Sequence, residues 1–216
     1  MPAGIPAPGA LCRPVGGDVG LITCIVRNAN GDPCLLSCSH VLASTSSPST
    51  ADVVEWLDTT RNPPVWQRAG TLWKWVQFVD NGVCNSLDVA LAILDSGIAA
   101  SFQGAASLEI APYDNKFLGA AIQKFSARCG GWESGSVRNL FTTQDLKFGS
   151  LGQTQFTLGG LIECRVGNGA GDSGGMIVVD NLPLAIHIAG DAVDRSWSIP
   201  LQRAFDEWSL DLLQFE

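Results

Sequence analysis

One serine stands inside a glycine-dense stretch, Gly169-Ala170-Gly171-Asp172-Ser173-Gly174-Gly175, where four of seven residues are glycine. A serine hydroxyl is a weak nucleophile at neutral pH. To attack a carbonyl it needs a base for its proton and donors for the oxyanion that forms. Glycine lets the backbone turn without a Cβ clash, so that nearby N–H groups can be aimed at one point. The apolar run Met176-Ile177-Val178-Val179 that follows reads as a buried strand anchoring the turn. A phosphate loop is the competing reading, but no lysine follows the glycines.

A base for Ser173 has two candidates, because the chain holds only two histidines, His40 and His187. Histidine suits the role because its charge changes near neutral pH. His40 lies in Ser39-His40-Val41-Leu42-Ala43, at the end of the apolar run Cys34-Leu35-Leu36-Ser37-Cys38. The base in turn needs a buried acceptor to fix its tautomer and stabilise the imidazolium. Asp88 opens the uninterrupted apolar segment Val89-Ala90-Leu91-Ala92-Ile93-Leu94. A carboxylate there is costly to bury without a partner, and this local conflict marks it as the acceptor. Asp80 and Asp95 are the alternatives, each in turn-like, solvated surroundings.

These three segments resemble the motifs of the chymotrypsin-like serine peptidases: Gly171-Asp172-Ser173-Gly174-Gly175, Ser39-His40, and Asp88-Val89-Ala90-Leu91. The chain order His40, Asp88, Ser173 is the order of that family and differs from those of subtilisins and α/β-hydrolases. The resemblance implies an all-β fold of two six-stranded antiparallel β-barrels. Residues 1–105 would form the first barrel, carrying His40 and Asp88, and residues 106–216 the second, carrying Ser173 and ending in an α-helix. It also implies an oxyanion hole from the backbone N–H groups of Gly171 and Ser173. Relatives activated by cleavage pair the aspartate before the serine with a new N-terminus. Here Arg13-Pro14-Val15-Gly16-Gly17 matches that cleavage site only faintly, so Asp172 is expected to have another partner.

The same resemblance implies a specificity pocket without fixing its preference. Gly167 stands where relatives that cut after Arg or Lys place an aspartate. Residues 184–190 match the pocket-lining strand, with Ile188-Ala189-Gly190 as the edge that pairs with substrate backbone. His187 falls where glutamate- and glutamine-specific relatives place a pocket histidine, whereas Asp191 and Asp194 would favour a basic side chain. The implied activity is hydrolysis of protein or peptide substrates through an acyl-enzyme. The alternative is a peptidase-fold interaction module, inactive until a regulatory protein partner orders its site. A non-proteolytic esterase is disfavoured by the motif order.

To position these groups, the chain offers many short apolar runs separated by turn residues, near 21–26, 34–38, 53–57, 70–76, 89–94, 117–128, 136–142, 155–166, 176–179 and 184–189. Such spacing points to barrels or sandwiches. Asn30-Gly31 is a hairpin signal between the first two runs. Residues 1–18 read as an extended surface segment and 95–115 as a crossover between halves. Leu201, Phe205, Trp208 and Leu212 fall at helical spacing, so residues 200–213 read as a helix starting at Ser198 or Pro200.

At 216 residues and 46% hydrophobic, the chain can bury a sizeable core. A net charge of −8 argues against nucleic acid, and no apolar run approaches the ~20 residues of a membrane span. The N-terminus lacks the features of a signal peptide, and seven cysteines are an odd number, so the expected location is cytoplasmic with reduced thiols. Cys34 and Cys38 lack a second pair at zinc-finger spacing, and no metal or cofactor is expected.

Overall fold

A computed structural model describes residues 4–80, 82–148, 155–191 and 193–214. The start of the expected N-terminal surface segment, residues 1–3, lies outside them. The first half contains β1 (Leu11–Pro14), β2 (Gly20–Leu21), β3 (Cys24–Arg27), β4 (Pro33–Ser37), the helical turn α1 (Ser39–Leu42), β5 (Val53–Asp58), β6 (Val65–Trp75), β7 (Cys84–Asn85), β8 (Ala90–Leu94) and the short helix α2 (Ser96–Ala99). The second half contains β9 (Ser107–Leu108), β10 (Ala121–Ser126), β11 (Gly131–Lys147), β12 (Gln155–Arg165), β13 (Met176–Val179), β14 (Leu182–Gly190), β15 (Arg195–Pro200), the helix α3 (Leu201–Trp208) and β16 (Asp211–Leu213).

The strands form two sheets. The first runs β2-β1-β5-β6-β8-β4-β3-β16-β9 and curls into a half-barrel. The second runs β11-β10-β13-β14-β15-β12-β7, and the antiparallel pairing of β11 with β12 closes its six long strands into a barrel. The architecture is the double β-barrel with a C-terminal helix that the sequence motifs imply. Three short strands cross between halves: β7 adds in parallel to β12, while β16 pairs with β3 and β9, so both ends of the second segment reach the first sheet.

Local chemistry explains the elements that hold the site. Asn28 Oδ1 accepts from the N–H groups of Asn30 and Asp32, tightening the turn that pairs β3 with β4. This hairpin ends at Cys38, from which α1 leaves with all four of its residues buried. The apolar run 89–94 becomes the central strand β8, paired on both sides, by β4 and β6. Its interior position is why Asp88, just ahead of it, is fully buried.

One large core joins the first barrel to α3, β16 and the inner ends of β12 and β14, including Leu36, Leu91, Leu158, Ile186, Phe205 and Leu212. A smaller core fills the second barrel around Ile122, Val137, Ile162, Ile177 and Leu184. The expected C-terminal helix is shorter than its apolar spacing implied. It stops where Ser209 adopts a left-handed conformation (φ 52°), and Leu212 and Leu213 are buried from a strand instead.

Candidate active site

His40 and Asp88 are locked together by two contacts. The His40 Nδ1 group donates to Asp88 Oδ2 over 2.5 Å, and the His40 backbone N–H donates to Asp88 Oδ1 over 3.1 Å. A carboxylate can only accept, so the proton sits on Nδ1 and the basic lone pair on Nε2. The helical turn α1 is what brings ring and amide of one residue to the same carboxylate. Ser39 Oγ donates to the carbonyl of Val76 over 2.6 Å and pins the turn from its other side. Of the alternative acids, Asp95 pairs with Arg68 on the surface and Asp80 is exposed. The Cys38 thiol lies within 4.8 Å of the same ring and carboxylate atoms. Burial pushes this thiol far above its ordinary range, and it donates to the carbonyl of His187 over 3.3 Å.

Ser173 sits between β12 and β13 on a loop sewn into both barrels. From the first barrel, the N–H of Leu21 donates to Ser173 O over 2.7 Å and Thr23 Oγ1 donates to Gly174 O over 2.7 Å. From the second, Gly174 N–H donates to His187 O and His187 N–H to Gly175 O, both over 2.8 Å. Gly174 takes φ +89°, and a Cβ there would stand 2.1 Å from Leu21 O, so only glycine fits this seam. Gly171 takes φ +87°, and the amides of Gly171 and Ser173 make no hydrogen bond among the described residues. The Ser173 hydroxyl donates to Ile188 O over 3.2 Å.

Asp172 finds its partner inside the barrel. Its carboxylate accepts from Lys124 Nζ over 2.7 Å, Ser126 Oγ over 3.0 Å, Ala127 N–H over 2.8 Å and Gly169 N–H over 3.0 Å. Both members of the ion pair are fully buried. Burial alone would raise the Asp172 pKa, but the hydrogen bond and charge of Lys124, with Ser126 and Ala127, outweigh it and hold the carboxyl below its usual range. Sequence reading missed Lys124. The signal was present: residues 122, 124 and 126 of β10 are its buried face, so a lysine at 124 requires a buried anion. The segment Arg13-Pro14-Val15 is meanwhile built into the sheet: Arg13 pairs with Glu55 and Val15 N–H donates to Val53 O.

A cleft of about 610 Å³ gathers His40, Gly171, Ser173, His187, Ile188, Ala189, Gly190 and Asp191, together with Asn168, Lys147 and Phe148. Two residues expected in the pocket lie elsewhere. Gly167 is not part of the cleft lining; the space beside it is taken by Glu133 and Arg128. Asp194 is drawn outward to Arg165 Nε at 2.6 Å. Asp191 does line the cleft, but its carboxylate accepts from the N–H groups of Val193, Asp194 and Arg195 and from Arg195 Nε at 2.7 Å. The Arg195 contacts pull its pKa down to about 2, so it is a satisfied anion.

His187 is almost wholly buried, and its Nδ1 has no hydrogen-bond partner among the described residues. Burial first, then the charge of Lys124, push its pKa to about 3 against the opposing pull of Asp172, with His40 adding to the depression. The imidazole is therefore neutral at the floor of the cleft. Beside it, β14 pairs with β15 as far as Gly190 but with β13 only as far as Ile186. Residues 188–190 thus present a strand edge toward Ser173 that β13 does not cover.

The double barrel, with its cleft between sheets, is the fold of the chymotrypsin-like serine proteases. No family model and no curated protein matches the chain by sequence. Among solved structures it is similar to a glutamic acid-specific serine protease (TM-score 0.66, 15% identity, covering 95% of this chain and 99% of that one). It is also similar to Nocardiopsis protease (TM-score 0.63, 15% identity, 98% and 100% covered) and to Cellulomonas bogoriensis chymotrypsin (TM-score 0.63, 18% identity, 97% and 98% covered).

Proposed function

We propose that the chain is a serine endopeptidase with Ser173 as nucleophile, His40 as general base and Asp88 as the group that orients it. The observation that carries this reading is the double clamp of Asp88 on His40, in one cleft with Ser173, whose own amide and that of Gly171 are unengaged among the described residues. In the reaction Ser173 Oγ attacks the peptide carbonyl while its proton passes to His40 Nε2. The oxyanion takes hydrogen bonds from the Gly171 and Ser173 amides. His40 then returns the proton to the leaving amine, and water, deprotonated by the same ring, hydrolyses the ester. Substrate backbone adds as a strand along Ile188–Gly190. The buried Lys124 supplies the cation that steadies Asp172, so the loop is ordered without cleavage near Arg13.

Several features support a preference for glutamate or glutamine before the scissile bond. The acids that the sequence motifs place where they would favour a basic side chain are committed or absent: Asp191 to Arg195, Asp194 to Arg165, and no acid at Gly167. His187 lines the cleft as a neutral imidazole, able to donate one N–H to a carboxylate or amide. A fold neighbour is described as glutamic acid-specific through a histidine triad in substrate binding. This chain, with two histidines, has too few to build such a triad outside His40. Seven unpaired thiols support action in a reducing compartment.

A fluorophosphonate probe tests the reading. It should label the wild type and spare Ser173→Ala, and the wild type alone should cleave a peptide library. Labelling that survives the substitution defeats it. Labelling that appears only after addition of cell lysate would favour the partner-dependent module.

A further inference from the structure

Resting on the peptidase reading, we propose that Phe148 is a specificity-determining residue, restricting the substrate position one residue before the scissile residue to glycine- or alanine-sized side chains. Phe148 follows β11 and belongs to the second barrel, yet its ring lies flat on the His40 imidazole, with centroids 4.1 Å apart and planes 9° apart. It therefore covers one face of the imidazole, and it lines the same cleft as Ser173.

Strand geometry makes this face matter. Successive side chains of an extended peptide point to opposite sides. A substrate strand paired with Ile188–Gly190 that sends its scissile residue toward Asn168, His187 and Gly190 must send the preceding side chain the other way, toward His40. There the side chain meets the Phe148 ring that lies on the imidazole. Phe148 is only 4% exposed. It packs against Phe78 of the first barrel at 5.4 Å and Phe156 of β12 at 6.5 Å, and those two rings meet each other at 5.0 Å. Three rings from both barrels hold one another, so a bulky substrate side chain finds a supported aromatic surface where it needs a hollow. The stacked ring also limits how far the imidazole can tilt.

The test compares kcat/KM on paired peptides that differ only at this position, carrying Gly, Ala, Leu or Phe. The set is run for wild type, Phe148→Ala and the more conservative Phe148→Leu, with thermal unfolding recorded for each. Wild type should cleave the Gly and Ala peptides at least ~10-fold faster than the Leu and Phe peptides, since a pocket misfit of a few methylenes is worth that much. Both variants should narrow this ratio toward one, mainly through KM for the large residues. A residue that merely holds His40 in place would slow all peptides alike and leave the ratio intact. Equal wild-type rates on Gly and Leu peptides, or an unchanged ratio in a folded variant, overturn the inference while leaving the peptidase reading standing. If Phe148→Ala does not fold, the wild-type profile and Phe148→Leu still decide. Absence of both cleavage and serine labelling in the wild type overturns the reading and this inference together.

Discussion

At the scale of single residues, the two histidines show how one side-chain type is given opposite duties by its surroundings. His40 is clamped by a carboxylate that can answer a positive charge on the ring. His187 has no hydrogen-bonded acid among the described residues, shares its neighbourhood with the Lys124 cation, and is held neutral with a pKa near 3. This carries a stability consequence. An unfolded histidine takes up a proton near pH 6.5, while folded His187 does so only near 3. Between those values the unfolded state binds more protons, so this residue's contribution is intact above about pH 6.5 and declines as pH falls toward 3. The thermal midpoint should therefore drop across that window, and a His187→Gln variant should drop less. Parallel pH-melting curves for the two proteins check it; an equal or steeper fall in the variant would refute the assignment.

At the scale of elements, strand β10 and the serine loop form one unit through Lys124 and Asp172. Lys124→Met leaves a buried carboxylate without its cation and should cost ~3–5 kcal/mol in urea unfolding, with kcat falling as the Gly169–Asp172 turn loosens. Combining it with Asp172→Asn removes the stranded charge, so the double variant should lose less stability than Lys124→Met alone. Most elements were legible because their apolar residues were contiguous: β13 begins and ends where Met176-Ile177-Val178-Val179 does, and β4, β5, β8 and β12 match within a residue or so. The long hairpin strand β11 was not legible in full, because Ser134, Asn139, Thr143 and Asp145 face solvent and break any apolar run. The run 21–26 splits into β2 and β3 because Ile22 and Thr23 give their N–H groups to Ala10 and Leu36 at a bend. The His40, Asp88 and Ser173 segments could be read since each carries a local conflict or motif. Phe148 could not, as nothing in its own neighbourhood of sequence announces a histidine more than a hundred positions away.

At the scale of the molecule, stability is not divided by position along the chain, since β9 and β16 from the second half both belong to the first sheet. The last strand, β16, returns to pair with β3, and its Leu212 is buried in the core shared by the first barrel, α3 and β14. Leu212→Ala should cost ~2–5 kcal/mol. Since that core spans both halves, the loss should appear in a single transition. Amide exchange should report it equally at β4 in the first sheet and β13 in the second; faster exchange confined to the first sheet would show that the halves unfold separately.

The carbonyls of Ser173 and Gly174 are hydrogen-bonded by Leu21 and Thr23, contributed from the opposite end of the polypeptide. Reactivity is thus a joint property of two distant stretches, and neither can be transplanted by itself. A chimera that borrows the serine turn from this chain inherits a working bend only if the residues around positions 21 and 23 travel with it.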